Sequence, residues 1–298
     1  MGDRGASILA KLKNKAKESK MSFQQCLLLF FEEEFLRRLS LSEYTDNLVL
    51  KGGLFIFLLT NFQSRPTADM DFLLKDSSGK LDEVQSMVNR ILSIPTEYSQ
   101  AVQLEFNGIE EIAKQRKYHG VSIHLIGRIN RVRVGFNVDI GIGDVVTPTS
   151  EKRLMRTQLS NIAQPQITTY SLESVVSEKF DAILQRLELS SRMKDFYDIV
   201  WLSKSFDFSG SSLREAILRT LDNRKTPYDA ISLQRVLELV HDPDMNTRWR
   251  LFTKNFQEEL TFPEIITRIN IFIEPIWRSI IDETPFVKNW SCQEQVWR

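Results

Sequence analysis

The sequence predicts an α+β fold, with a helical N-terminal arm, a middle of mixed strands and helices, and a helical C-terminal half. Three observations carry that prediction. Between Val132 and Ile142, six apolar residues (Val132, Val134, Phe136, Val138, Ile140, Ile142) alternate with Arg133, Gly135, Asn137, Asp139 and Gly141, the period of a half-buried strand. Between residues 22 and 39, Phe23, Cys26, Leu27, Phe30, Phe31 and Phe35 recur at three- and four-residue spacing, the period of a helix. Beyond Pro148 the strand pattern fades, and 171–204, 211–222, 231–241 and 246–280 read as helices, the last interrupted near Pro263 and Pro275.

The elements follow in order. Residues 1–20 carry six basic side chains against two acidic ones, a local charge of +4, and read either as a flexible arm or as an RNA-facing surface. Ser22 is an N-cap candidate for the first periodic helix, and Leu39-Ser40-Leu41-Ser42 is its break. Leu48-Val49-Leu50-Lys51 is a short strand, and Gly52-Gly53 then opens an apolar run over 54–59 that reads as a helix buried nearly all round. Ala68-Asp69-Met70-Asp71-Phe72-Leu73-Leu74 has strand character and ends at a turn-like Asp76-Ser77-Ser78-Gly79. Further strands are expected at 103–106 and 121–126, and Gly127-Arg128-Ile129-Asn130 links the latter to 132–142 as a hairpin.

Composition narrows the class. The 298 residues hold 39 Lys and Arg against 39 Asp and Glu, with 42% hydrophobic and 26% charged residues, as in globular proteins. A net charge of zero argues against a surface coated for nucleic acid, although a local basic patch is compatible with it. No run of about 20 uncharged apolar residues suits a membrane helix, and the N-terminus lacks the apolar core of a secretory signal. Cys26 and Cys292 stand at opposite ends and form no disulfide framework or CxxC metal motif, so a cytoplasmic location is expected.

Asp69 and Asp71, two apart in a strand, leave the same face, and Asp139 lies on the polar face of another strand. Carboxylates converging in this way repel one another unless a cation joins them, and magnesium suits such oxygen donors. Gly52-Gly53 at a helix start offers unhindered backbone N–H groups to a phosphate. Taken singly, an Asp-x-Asp is usually a solvated strand edge and a glycine pair a turn; their order along the chain is the more specific signal. In the helical half, Lys179 falls inside an apolar stripe containing Val175, Phe180 and Ile183, so it either snorkels outward or aims into an internal polar site. Asp195 and Asp198 share a face of the next helix, where Lys194 has the spacing to pair with Asp198; a salt-bridged helix start explains them equally well.

Together, Leu50-Lys51-Gly52-Gly53, Arg65-Pro66-Thr67-Ala68-Asp69-Met70-Asp71-Phe72-Leu73, the segment from Val138 to Asp144, Ser177-Glu178-Lys179-Phe180-Asp181-Ala182 and the segment from Ser191 to Asp198 resemble the AbiEii/AbiGii-type nucleotidyltransferase toxins of abortive-infection and type IV toxin–antitoxin systems. The resemblance spans about residues 20–205. It implies a polymerase-β-like nucleotidyltransferase core, a mixed sheet with helices, followed by a helical lobe. The corresponding divisions are 1–45 (arm), 46–165 (core) and 166–298 (helical domain). It also implies Mg2+- or Mn2+-dependent transfer from a nucleoside triphosphate, for some relatives to the 3′ end of tRNA, and a cognate antitoxin encoded nearby. By position, Asp69 and Asp71 hold metal with Asp139 as the expected third strand carboxylate. Gly52 and Gly53 face the triphosphate, Lys179 contacts phosphate, and Asp195 completes the site; Arg65 reads as a further phosphate contact or equally as an exposed loop arginine. One departure is that many nucleotidyltransferases have Gly-Ser where this chain has Gly-Gly, so a phosphate-binding hydroxyl is missing at position 53.

Other groups are less specific. His119, His124 and His241 are not at ligand spacing. Lys114, Arg116, Lys117, Arg128, Arg131 and Arg133, with Tyr118, read as an RNA-facing patch or as a solvated face. Trp277, Trp290 and Trp297 read as core or as a partner surface. Two other functions compete: a catalytically silent nucleotide- or RNA-binding protein that keeps the fold, and a glycosyltransferase using Asp-x-Asp to hold a nucleotide diphosphate. The second leaves the glycine pair and Lys179 unexplained.

Overall fold

The computed structural model describes residues 3–19, 21–77, 79–112, 120–160, 162–254, 256 and 260–298. The chain forms two compact units, one of residues 1–144 and 150–170, the other of 145–149 and 171–298.

The first unit begins with α1 (Arg4–Glu18) and α2 (Phe23–Ser40). The lysine-rich segment is therefore helical where described. Asp3 caps it by accepting from the Ala6 N–H at 3.0 Å, and Asn130 donates to the other Asp3 oxygen at 2.9 Å. Ile8 and Leu12 are buried, leaving the lysines to the outer face. Ser22 caps α2 in a capping box: its hydroxyl accepts from the Gln25 N–H, and the Gln25 side chain accepts from the Ser22 N–H at 2.7 Å.

There follow β1 (Leu48–Lys51), α3 (Gly52–Leu59), β2 (Met70–Leu74), α4 (Leu81–Ser93), β3 (Val102–Ile112), β4 (Gly120–Ile129), β5 (Val132–Ile142), β6 (Glu151–Leu154) and β7 (Gln166–Thr169). The seven strands make one mixed sheet in the order β3-β4-β5-β2-β1-β7-β6. β2 runs parallel to β5 and β1 parallel to β7, while the other neighbours are antiparallel. Leu48, Val49 and Leu50 of β1 are all buried, as a central strand covered on both faces requires. The sequence pattern gave no sign of β6 and β7, four residues each; β6 (Glu151-Lys152-Arg153-Leu154) is a charged edge strand with no apolar alternation to read. The 132–142 strand is as expected, whereas its partner runs on through Ile129, so the hairpin turn falls at Asn130 with φ +52°.

The second unit contains α5 (Leu172–Arg186), α6 (Met193–Ser205), β8 (Phe208–Ser209), α7 (Gly210–Arg224), α8 (Ser232–Glu238), α9 (Pro243–Thr253), α10 (Phe262–Ile281), β9 (Asn289–Ser291) and β10 (Val296–Trp297). The stretch expected as one helix over 246–280 is divided just before Pro263, α9 ending at Thr253 and α10 beginning at Phe262, whereas Pro275 makes no break. Pro263 stands in its first turn, where a missing N–H costs nothing, and Pro275 is carried inside the helix between buried Phe272, Ile273, Ile276 and Trp277. Packing of that apolar face outweighs the lost hydrogen bond. The three tryptophans resolve toward core: Trp277 and Trp290 are buried, Trp290 donates to the Ser203 carbonyl at 2.6 Å, and half-buried Trp297 stacks on Phe272 and donates to its carbonyl.

Candidate functional site

The glycine pair sits where β1 becomes α3. Gly52 has φ +72°, which favours glycine, and a Cβ added there would meet Asp71 Oδ2 at 2.2 Å. The position is thus glycine twice over, once for the backbone and once for the carboxylate lying against its Cα. A Cβ on Gly53 would meet Thr67 Oγ1 at 2.9 Å and Arg65 Nη2 at 3.2 Å. The volume a side chain at position 53 would fill already holds a hydroxyl and a guanidinium. Thr67 was not singled out in the sequence; its hydroxyl also accepts from the Asp69 N–H at 3.2 Å.

The carboxylates come from the middle of the sheet. Asp71 is paired across β2–β5 with Asp139, and across β1–β2 with Lys51. Asp69 stands exposed just before β2 and Asp71 is half-buried within it, flanking the buried Met70. Asp139 Oδ1 accepts from the Ser122 hydroxyl at 2.6 Å. The donors Asp69, Asp71 and Asp139 are all hard oxygens. Among the described residues no group of three or more His, Cys, Asp or Glu is gathered closely enough to enclose a metal ion by itself. That donor set fits magnesium, which is held by one or two carboxylates and completes its octahedron with water and substrate phosphate. Next to the glycine pair, Lys51 Nζ donates to Asp144 Oδ2 at 2.8 Å and lies 5.2 Å from the centre of the Tyr170 ring, so a part-buried cation stands one residue before Gly52. Its place in the Lys-Gly-Gly string was the available signal.

The other expected residues belong to the second unit. Lys179, on α5 and mostly buried, does not snorkel. Its Nζ lies 2.6 Å from Asp198 Oδ2 and 3.3 Å from Asp195 Oδ1, both carboxylates being buried on α6. Arg192 donates from Nε to Asp195 Oδ2 at 2.6 Å. Burial works to raise the Asp195 carboxyl, but Lys179 and Arg192 outweigh it and hold the group below the usual carboxylate value. Lys179, Asp195 and Asp198 are buried, and the exposed Arg192 joins them from the start of α6, so two cations face two carboxylates. Asp198 thus meets Lys179, a partner on another helix that the sequence spacing does not reveal.

Of the basic patch, Lys114, Arg116, Lys117 and Tyr118 lie outside the described residues, as does His119. Arg128 is paired with Glu105 at 2.7 Å, and Arg131 and Arg133 lie on the β4–β5 hairpin.

The model of the family described as nucleotidyl transferase AbiEii toxin, type IV toxin–antitoxin system, matches residues 34–268. The chain belongs to this family. Membership makes it a nucleotidyltransferase toxin by descent and implies a nucleoside triphosphate substrate and an antitoxin partner. No curated protein matches the sequence. In fold the chain is similar to MenT4, a nucleotidyltransferase toxin from Mycobacterium tuberculosis H37Rv, with a TM-score of 0.54 and 15% identity over 91% of this chain and 98% of that one. It is also similar to an H. pylori protein described as a candidate nucleotidyltransferase, with a TM-score of 0.50 and 14% identity over 89% of this chain and all of the other. At such identities the likeness concerns architecture: the mixed sheet with helices found here is that of nucleotidyltransferase toxins. Among the described residues no helix is long and apolar enough to cross a membrane.

Proposed function

We propose that this AbiEii-family chain transfers a nucleotide from a nucleoside triphosphate to the 3′ hydroxyl of an RNA, with tRNA as the first candidate, in a divalent-cation-dependent reaction. The observation that carries the proposal is Asp71: it lies against Gly52, opposite Asp139, and two residues from Asp69. The contact of Asp71 with Gly52 supports a site at the glycine-led start of α3, whose N–H groups and positive end suit a triphosphate.

In the reaction the acceptor oxygen forms a bond to the α-phosphorus, the bond from that phosphorus to the β-phosphate bridge breaks, pyrophosphate leaves, and the hydroxyl proton passes to solvent. A cation at Asp69 and Asp71, when bound, lowers the pKa of the attacking hydroxyl and offsets charge on the phosphate. Asp139 is the third carboxylate, kept in orientation by the Ser122 hydroxyl. Gly52 and Gly53 leave the backbone open to phosphate; Thr67 supplies near position 53 the hydroxyl that a serine there would bring, and Arg65 adds a positive charge. By its place in the family motif Lys179 is the phosphate contact expected of the second unit, where Asp195 and Asp198 hold its ammonium.

The acceptor assignment has a direct test. Total RNA incubated with the protein, Mg2+ and each α-labelled nucleoside triphosphate in turn is expected to acquire label from at least one of them. Periodate oxidation of the RNA beforehand, which destroys the 3′ diol, is expected to prevent it. Labelling that survives periodate would rule out the 3′ hydroxyl as acceptor.

A further inference from the structure

The two faces of the sheet differ in character. On one, Phe72, Val134, Val138 and Ile140 are buried, and Gly127 lies so close under Phe31 of α2 that a Cβ there would overlap the ring. Asp71 and Asp139 stand on the other face, which the register carries outward along β5 through Asn137, Gly135 and Arg133. On β4 the same face presents Ser122, His124, Ile126 and Arg128, the partners of Asp139, Asn137, Gly135 and Arg133. A cavity of about 420 Å³ opens here, lined on this face by Asn107, His124, Ile126, Arg133, Gly135 and Asn137. From Asp139 to Arg133 the strand runs about 20 Å.

The side chains of this face suit a ligand. His124 is held from both sides: Nδ1 lies 2.9 Å from Asn137 Oδ1, and Nε2 lies 3.3 Å from Glu110 Oε1. Arg133 is exposed, and Arg128, paired with Glu105, stands opposite it. Gly135 is the more telling residue. It sits mid-strand, its backbone is outside the left-handed region, and among the described residues a Cβ added to it meets nothing nearer than the Leu125 carbonyl oxygen at 3.9 Å. Neither conformation nor crowding requires a glycine, and a glycine weakens a strand. Gly127 is a glycine that admits Phe31; at Gly135 the space is left open.

The reaction geometry narrows the occupant. In an in-line displacement at the α-phosphorus, the acceptor oxygen enters opposite the departing pyrophosphate. The glycine pair that suits the phosphates follows β1, and the sheet order β5-β2-β1 puts it on one side of Asp71 with β5 on the other. That leaves the β5 side as the approach for the acceptor. Arginines at the far end of the face complement a phosphate backbone, and an aromatic ring beside open backbone suits a nucleobase. We propose that this β4–β5 face binds the single-stranded 3′-terminal nucleotides of the acceptor RNA, with Arg133 on a phosphate and a base seated over Gly135 beside His124. This rests on the reading of the chain as an RNA nucleotidyltransferase and adds the place where that RNA lies.

The test measures label transfer to total RNA by the full chain, at varied RNA and at varied nucleoside triphosphate, for the parent, Arg133→Glu and Gly135→Val. Both positions are exposed, so both variants are expected to fold. Each variant is expected to need about tenfold more RNA for half-maximal transfer, with the half-saturating nucleoside triphosphate concentration unchanged. Variants that saturate with RNA as the parent does overturn this inference and leave nucleotide transfer to RNA standing. A raised requirement for triphosphate at an unchanged requirement for RNA assigns the face to the donor and also contradicts the proposal. Equal weakening toward both substrates marks a general loss of structure and counts against it as well. If the parent transfers no label to RNA, the acceptor reading fails and this inference falls with it.

Discussion

Gly52 is the residue whose chemistry and backbone coincide. Its φ of +72° and the 2.2 Å approach of Asp71 Oδ2 to a built Cβ mean that alanine there would be strained and would displace the carboxylate. Gly52→Ala is expected to cost about 2 kcal/mol or more in urea unfolding and to abolish label transfer. A variant with normal transfer would show that Asp71 need not lie where it does. Lys179 gives a contrasting case, since its ammonium serves two buried aspartates. Lys179→Met leaves Asp195 to Arg192 but takes from Asp198 the ammonium 2.6 Å away, and a loss on the order of 3–5 kcal/mol is expected in chemical denaturation, because one partner of a buried ion pair has gone and the other remains. Restoring neutrality with Asp198→Asn should recover part of that stability without restoring activity. The glycine pair, the Asp-x-Asp and Lys179 were legible as residue types in order. Thr67 and Ser122 were not, because a hydroxyl becomes informative only once a neighbour is known: Gly53 for one, Asp139 for the other.

At the scale of elements, α2 shows most plainly what periodicity can and cannot convey. Its start and end were readable from Ser22 and Ser40, since caps are local chemistry. Its run of three glutamates looks like a solvated face in sequence, yet it is buried, because α4, β5 and β7 all pack against this one helix. Burial from several sides is a property of topology, and no window of one helix reports it. The consequence is measurable. Burial raises the Glu33 carboxyl to about 7, against the favourable effect of Arg37 and Gln158, while the unfolded chain has the ordinary value of 4.5. Between those values the folded state binds the proton that the unfolded state has released, so this group's contribution to stability falls as pH rises from about 4.5 to 7. The effect is on the order of 3 kcal/mol at full span. Glu33→Gln is expected to flatten the pH dependence of urea unfolding across that window; an unchanged slope would show that the group is charged throughout. Strands β6 and β7 make the same point for the sheet. With four residues each they carry too little pattern to be read, although β7 supplies the parallel neighbour of β1.

For the whole molecule, the zero sum of 39 basic and 39 acidic residues no longer weighs against a nucleic-acid substrate. The charges are sorted locally. Asp71 and Asp139 stand opposite one another on β2 and β5, cations are paired with acids around Lys179 and Lys51, and lysines line α1. The α+β class was legible because an eleven-residue alternating strand and long apolar helices are strong, local signals. The division of 145–149 with the second unit was not legible, because Thr147 joins α5 through hydrogen bonds with Ser171 and Ser174 that no sequence window contains. The family match runs from residue 34 to 268 and so draws on both units. The central claim is that Asp69 and Asp71 carry a cation-dependent nucleotide transfer. Its most direct measurement compares the intact chain with Asp69→Asn and Asp71→Asn for transfer of α-labelled nucleotide to total RNA, with Mg2+ and with excess chelator. Transfer by the intact chain that is lost with chelator, and reduced by about a thousandfold in either variant, is the predicted result. Transfer that persists in chelator, or near-parent transfer by Asp71→Asn, would contradict the account.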